Sequence, residues 1–407
     1  MAFTGATSGL AAGAQTNDTR MDFALETLYA TPPTGNYQAL RITGETFKRA
    51  QTTSRPQEIN DLKQVSQSVV TQVQASGAVS GALSSGTFDD LIGGVMGADW
   101  AGPFVFNATA QNAVRPNNKL LLFPQDQGNF VSTLPNSGLY HIVSPSKGWD
   151  YIGYYSSRTG DHLGLIIGQD FFTKYNWGDG LVSDVVVTVN GIANSNIDKT
   201  FTIRKKLLGK FLHYPGSLIT QVQIQLQQGQ FGTISIDAIC ADEVKSDTDI
   251  ASSVLAAPGG KVHNTVNNFL GATINGQAPA GCVTQFTCTL ARDGNGNDYG
   301  NGHTSACGVR TGQFTASGSI EFYFRTWDEY EAALAGTQGP IIVKSVDDSG
   351  NGYAFFFTNA ALRNASVNTS ETNQTVKASF DIEGNPMENG GPTFAIFRLT
   401  GVAATGS

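Results

Sequence analysis

Residues 87–97 read TFDDLIGGVMG, and residues 326–336 read TWDEYEAALAG. Each stretch opens on a Thr followed by two acids, Asp89–Asp90 and Asp328–Glu329, which we interpret as capping-box and helix-start residues. Apolar residues then recur at helical spacing as far as a final Gly. The sequence therefore predicts the same short helix twice.

A second pair of segments supports an internal repeat. A short strand pattern precedes each predicted helix, SGAV at 76–79 and SGSI at 317–320. Leu218–Asp237 also aligns without gaps to Leu362–Asp381. A chain that repeats one strand–helix–strand unit typically builds an object with rotational symmetry. The alternative is that short strands and capped helices resemble one another by chance.

Length and composition favour a large β-rich chain with little charge. The 407 residues suggest two or three domains, and only 14% of them are charged. The net charge of −8 argues against a protein that grips nucleic acid through a basic face. We expect no signal peptide, because residues 1–10 lack a basic start and a long apolar core, and no transmembrane helix, because no apolar run reaches about 18 residues.

The pattern of strands and turns predicts a mainly β fold. We expect two tandem β-sandwich or barrel modules, each with a flanking helix, and a small all-β domain inserted into the first module. The predicted boundaries are 1–20 for a flexible N-terminal arm, 21–102 with 197–245 for the first module, 103–196 for the insert, 246–401 for the second module and 402–407 for a tail.

Several predicted strands carry one apolar face and one neutral polar face. We expect the side chains of the polar faces to form one continuous wall, and no Lys or Arg occurs in 64–114, 211–244 or 311–324, which hold three of the four repeated strand blocks. Such a wall has no cations to bind the phosphates of a DNA duplex, so it gains no binding energy from counterion release. The candidate wall residues are Gln72, Gln74, Ser76, Gln221, Gln223, Gln225 and Glu321.

Catalytic and metal-binding signatures are not found in the sequence. No nucleophile, zinc or nucleotide motif is present, and we expect neither an enzyme nor a cofactor. Asp-rich segments at 293–298 and 347–352 resemble calcium loops but lack the twelfth-position Glu. A glycosidase built on paired carboxylates stays as a minor alternative. We expect Cys240, Cys282, Cys288 and Cys307 to be reduced and mostly buried.

Four segments together resemble the tail tube proteins of long, non-contractile-tailed bacteriophages. They are residues 26–100, 201–241, 312–336 and 353–384. The resemblance implies a virion protein whose copies form rings that stack into a tube, with DNA ejected through the lumen. The candidate wall residues would then face the lumen. The polar loop 48–64 would reach the neighbouring ring through Arg49, Gln51, Arg55, Glu58 and Asp61.

The resemblance also implies partners and a stoichiometry. Plain tube proteins form six-membered rings with one tube domain per copy, so a chain with two such modules favours a trimer over a hexamer. Further implied partners are a tape-measure protein, the tail terminator and distal tail proteins, and genomic DNA in transit without specific binding, with assembly in the host cytoplasm and no membrane contact. The alternative function is a different virion surface, decoration or carbohydrate-binding protein, for which Tyr151, Tyr154, Tyr155 and Trp177 in the insert are the candidate residues.

Overall fold

A computed structural model describes residues 14–59, 61–159, 163–168, 170–175, 180–369, 372–387 and 390–402. The fold is mainly β, as the sequence predicts. Most of the predicted N-terminal arm, the end of the predicted tail and Trp177 lie outside the described residues.

The first part of the chain forms five strands and one helix. A short 3-10 helix at Thr16–Asp18 precedes them. The elements are β1 (Arg20–Leu25), β2 (Asn36–Ala39), β3 (Gly44–Glu45), β4 (Lys48–Ser54), β5 (Val69–Ala82) and α1 (Asp89–Met96).

The next part of the chain folds around a separate apolar core. That core includes Phe106, Tyr140, Trp149 and Phe171. In addition to the expected strands, the region contains two short helices. The elements are β6 (Ala101–Asn107), β7 (Arg115–Asn117), β8 (Leu120–Leu122), a 3-10 turn (Gln125–Gln127), α2 (Gly128–Thr133), β9 (Gly138–Ser144), β10 (Trp149–Tyr155), β11 (Ser157–Arg158), β12 (Gly164–Ile166), α3 (Asp170–Lys174) and β13 (Val186–Ala193).

The chain then returns to the first group of strands. The elements are β14 (Phe201–Leu207), β15 (Lys210–Gln227), β16 (Thr233–Cys240), β17 (Val244–Ser246) and β18 (Ser253–Leu255). The last part consists of β19 (Phe269–Ile274), β20 (Val283–Asp293), β21 (Gly296–Asp298), β22 (Gly308–Arg310), β23 (Gln313–Tyr323), α4 (Asp328–Ala335), β24 (Gln338–Val346), β25 (Gly352–Asn368), β26 (Lys377–Asn385) and β27 (Phe394–Leu399).

Eight of these strands pair side by side into one antiparallel sheet. Their order is β4, β5, β16, β15, β20, β23, β26 and β25. The first four come from the first half of the chain and the last four from the second half. The link between the halves is the pair β15–β20, in which Gln223 lies opposite Thr289. We call these eight strands the long sheet.

The two halves place corresponding elements in the same chain order. β1, β4, β5, α1, β14, β15, β16 and β17 correspond in turn to β19, β20, β23, α4, β24, β25, β26 and β27, with matching pairing partners. β6–β13 fall between α1 and β14, whereas α4 leads directly into β24. Val222 from the first half and Phe286 and Phe355 from the second half belong to one buried apolar core.

The repeated helices form where the sequence predicts them, but their starts differ in detail. Both end at a left-handed Gly, with φ of 59° at Gly97 and 67° at Gly336, as expected for glycine just past a helix. Neither has a side-chain cap: the Thr87 hydroxyl bonds to Ser84 instead. The interpretation of Asp89 as only a helix-start residue is therefore incomplete, because its buried carboxylate bonds elsewhere.

One predicted alignment also changes by a residue. The gap-free repeat places Val222 against Ser366, yet Val222 is buried and Ser366 is exposed. The pairing partners instead align Gln223 with Ser366, since Gln223 pairs with Ser235 and Ser366 pairs with Ser379. A shift of one residue moves every side chain of a strand to the opposite face of the sheet. The correct alignment of the two strands is therefore the one that matches buried residues with buried residues.

Candidate functional site

One face of the long sheet is apolar and packs on the core, and the other is polar. All seven candidate wall residues lie on this polar face, because the pairing register places them on the same side of neighbouring strands. We call this surface the polar face. It includes Lys48, Gln72, Gln74, Ser76, Ser80, Gln221, Gln223, Gln225, Ser235, Asp237, Ile239, Thr287, Thr289, Ser317, Ser319, Glu321, Lys377, Ser379, Asp381 and Glu383.

The centre of the polar face is uncharged across several strands. Ser80 lies opposite Ser235, which lies opposite Gln223, which lies opposite Thr289, which lies opposite Ser317. Hydroxyl and amide groups thus follow one another across the junction between the two halves of the chain. Such groups bind water but present neither charge nor an apolar patch to a passing molecule.

Charged groups of the polar face border this uncharged row: Asp237 is two residues from Ser235 on β16, and Glu383 on β26 lies opposite Ser317. The Glu321 carboxylate accepts hydrogen bonds from Lys377 at 2.8 Å and from the Thr284 hydroxyl at 2.6 Å. Partial burial alone would raise the pKa of Glu321, but these two donors lower it below its usual value. Partial burial raises the pKa of Asp237. The wall is therefore not free of cations: Lys377 is paired with Glu321, and Lys48 lies opposite Ser76 on the outer strand β4.

The predicted inter-ring loop is shorter than its sequence suggested. Arg49 and Gln51 lie in β4, where they pair with β5, and Arg49 forms an ion pair with Asp242 at 2.9 Å. Their assignment to a loop is wrong, because neutral polar side chains on an edge strand give no apolar alternation to detect. Arg55, Glu58 and Asp61 do lie in the connection between β4 and β5.

Sequence reasoning missed an apolar feature of the same connection. Ile59, Leu62 and Val65 are 104%, 75% and 78% exposed. The Arg55 guanidinium donates to the Ser66 carbonyl at 3.3 Å across the base of this connection. The sequence signal for this feature is the recurrence of an apolar residue at every third position, 59, 62 and 65. The polar residues between them make the segment look like an ordinary polar loop. We call residues 55–68 the hairpin connection.

A buried polar cluster joins the two halves of the chain, and no local sequence pattern predicts it. Asp89 at the start of α1 accepts a hydrogen bond from Arg398 Nε on β27 at 2.7 Å, and another from the Tyr353 hydroxyl on β25. The Arg398 guanidinium also lies 4.0 Å above the Trp100 ring. Burial raises the pKa of Asp89, while Arg398 and Tyr353 oppose that shift.

The aromatic residues expected in a binding cleft mostly pack inside the inserted region. Tyr155 is fully buried, and Tyr151 packs against Phe171 and Tyr175. Tyr154 lines a cavity of about 350 Å³ between this region and β24–β25. Among the described residues, Tyr151, Tyr154 and Tyr155 do not come together as an exposed platform, and Trp177 lies outside those residues. In the described part of the chain, no group of three or more metal-ligating side chains occurs.

The outer strands of the long sheet each have one partner in the described structure, and their open edges present backbone groups that can pair with another chain. The chain belongs to the phage tail tube protein family, whose sequence model matches residues 16–384. This family is structural, and membership identifies the protein as a component of the virion tail. A search of curated proteins gave no match. Among the described residues, no helix has the length and apolarity needed to cross a membrane.

Proposed function

We propose that this protein is the ring-forming subunit of the tail tube and that its polar face lines the bore through which genomic DNA is ejected. The observation that carries the proposal is the pair β15–β20, which joins the strands of both halves into one sheet with a continuous polar face. The outer strands of that sheet, β4 and the last part of β25, each have one partner in the described structure. Ring closure would satisfy these edges.

Strand count supports three copies per ring. Three copies would contribute roughly 24 strands, which at about 4.8 Å spacing and about 40° tilt give a backbone diameter of about 48 Å. Side chains of about 5 Å on each wall leave a bore of about 38 Å. Six copies would double the backbone diameter to about 95 Å. The trimer gives the tighter fit around a hydrated duplex.

The chemistry of the polar face suits a duplex in transit. DNA carries one negative charge per about 1.7 Å of axis, and each cation that neutralises a phosphate adds salt-dependent affinity. Glutamine, serine and threonine side chains on the central strands add none. Lys377 is already paired with Glu321, and Lys48 lies at the outer edge of the face rather than on its central strands. Passage without specific binding follows from this arrangement.

Within this function, the chain would be organised as two tube modules with one inserted region. Residues 21–102 with 197–245 would form the first tube module and 246–401 the second. The inserted region follows α1, which packs on the apolar side of β15, so the proposal places this region on the outer surface. The hairpin connection would contact the next ring. A tape-measure protein in the bore, and terminator and distal tail proteins at the two ends, are the proposed partners.

Negative-stain microscopy of the purified protein at high concentration tests this function. We expect stacked rings or tubes of uniform width, with a stain-filled bore. A protein that stays monomeric and shows no annular assembly under any condition that keeps it folded would contradict the proposal. Circular dichroism before and after incubation provides the control for folding.

A further inference from the structure

We propose that β4 of one copy pairs antiparallel with residues 364–368 of β25 in the next copy, with Lys48 opposite Ser366. This inference rests on the proposed ring and specifies its subunit junction. Beyond Ala361, the outer side of β25 has no partner strand in the described structure, whereas its other side pairs with β26. A second copy of the chain is the proposed occupant of that edge.

The junction within the chain provides the geometric model. β15 and β25 are equivalent strands, and the outer side of β15 beyond Leu218 is occupied by β20. β20 is in turn the equivalent of β4, because Ser76 on β5 corresponds to Ser317 on β23. The equivalents of β25 and β4, which are β15 and β20, thus pair with each other within one chain. The same pairing is available between chains.

The register follows from the pairing partners. Ser76 lies opposite Lys48, and Ser317 lies opposite Thr289, so Lys48 corresponds to Thr289. Gln223, which lies opposite Thr289, corresponds to Ser366. Lys48 therefore falls opposite Ser366. Towards the start of β25 this register is interrupted, because a β-bulge lies between Arg363 and Ser366, where Asn364 has a φ of 47°.

The two helices provide an independent observation. α1 lies at the internal junction, and its Val95 is fully buried, with Arg292 of β20 donating to the Val95 carbonyl at 2.7 Å. Leu334, the equivalent residue of α4, is 72% exposed. Phe88 is buried beside α1, whereas its equivalent Trp327 is 55% exposed. α4 thus exposes apolar surface at the position where α1 is covered.

Charge complementarity favours the same pairing. Lys48 lies on β4, while Asp381 lies on β26, directly behind the open edge of β25. Arg49 and Glu383 are already paired within the copy, with Asp242 and Arg363 respectively. The Asp381 carboxylate accepts a hydrogen bond from Asn364, which brings that acid to the edge. Opposite charges on neighbouring strands stabilise a sheet, and like charges destabilise it.

The junction has a consequence for the bore. The internal junction places Gln223 and Thr289 on the polar face, and both are uncharged. The junction between copies places Lys48 there. A trimer would therefore carry one lysine at each of its three subunit junctions and none at its three internal junctions, so the charge of the bore would follow threefold rather than sixfold symmetry.

Cysteine cross-linking in assembled protein tests the register. The background variant is Cys282→Ser/Cys307→Ser, because these two thiols are exposed whereas Cys240 and Cys288 are buried. The test variant adds Lys48→Cys/Ser366→Cys. A matched internal control adds Gln223→Cys/Thr289→Cys, which has the same geometry within one chain. The offset control adds Ala50→Cys/Ser366→Cys, a diagonal pair about 7–8 Å apart.

The thiols are cross-linked either by oxidation or with a short bifunctional thiol reagent. The treatment used is the one that cross-links the internal control pair. We expect covalent dimers and trimers on non-reducing gels for the test variant, with at least fivefold less product for the offset control. Tubes that form but yield no cross-link between copies, or yield more with the offset pair, would overturn the junction. A protein that forms no rings at all contradicts the proposed function instead.

A surface substitution gives a second readout that does not depend on disulfide geometry. Because Leu334 is exposed within one copy, Leu334→Asp should leave the melting temperature of the monomer unchanged while reducing ring formation at least tenfold. Leu181→Asp is the matched control, since Leu181 is 70% exposed on the inserted region. Equal ring yields for both variants would overturn the role of α4 at the junction.

Discussion

The carboxylate of Asp89 accepts a hydrogen bond from Arg398, a residue 309 positions later, at 2.7 Å. The Tyr353 hydroxyl bonds to the same carboxylate and also accepts from the backbone N–H of Gly86 at 2.8 Å. These contacts join α1 of the first half to β25 and β27 of the second. Buried ion pairs of this kind are costly to break from one side, because the remaining charge has no partner.

Asp89→Asn should destabilise the protein by about 2–4 kcal/mol, because it leaves the Arg398 guanidinium without its counter-charge in a largely buried site. Urea unfolding of the unassembled protein measures the change. Asp90→Asn is the matched control, since Asp90 is the exposed neighbour on the same helix, and it should fall within about 0.5 kcal/mol of the wild type. Equal effects of the two substitutions would contradict the role of Asp89.

His263 should make the protein acid-sensitive. Burial lowers its pKa from 6.5 to about 4, and its Nδ1 lies 3.1 Å from the Ser345 hydroxyl. Between those pKa values the unfolded chain binds more protons than the folded chain, so stability is complete above pH 6.5 and falls as the pH drops toward 4. The loss reaches about 3 kcal/mol at pH 4.

Thermal unfolding between pH 4 and pH 7 measures this dependence. His263→Gln should flatten the slope, leaving the part contributed by His213, whose pKa is also lowered by burial. A His263→Gln profile parallel to that of the wild type would show that His263 does not carry the effect.

Gln223→Lys tests the neutral bore. Gln223 lies at the centre of the polar face and is exposed, so each copy would add one phosphate-attracting charge there. Virions carrying this variant should eject DNA several-fold more slowly at low salt and at near wild-type rate at high salt. Gln111→Lys adds the same charge on the inserted region and should have no effect. Equal ejection rates for both variants at low salt would show that Gln223 does not face the bore.

The hairpin connection should hold rings together through its apolar side chains. Ile59→Ser/Leu62→Ser/Val65→Ser removes exposed apolar groups, so rings should still form but stack into markedly shorter tubes. The contrasting variant, Arg55→Ala/Glu58→Ala/Asp61→Ala, should change mainly the salt dependence of tube length. Electron microscopy of tube lengths separates the two, and normal tubes from the apolar variant would contradict the assignment.

Sequence patterns predicted the parts of this fold that depend on local periodicity. The alternation around Gln223 and Val222 and the helical spacing in 88–96 are local properties, and the structure has a strand and a helix there. The polar face could also be predicted, because strand alternation fixes which side chains share a side.

The remainder depends on distant contacts or on burial. Nothing near Asp89 in the sequence signals a partner at Arg398, so a helix-start acid and a buried ion pair look alike. The one-residue shift of Val222 relative to Ser366 is visible only through burial. The open edge of β25 likewise requires the pairing of all eight strands, which no local pattern determines.

Electron cryo-microscopy of assembled tubes tests the central claim, that paired halves of one chain close a shared barrel with sister copies. The account predicts three copies in each ring, an unbroken inner barrel of roughly 24 strands, and β4 of each copy beside 364–368 of the next. Rings in which the long sheets of neighbouring copies do not touch, or in which the polar face points outward, would contradict it.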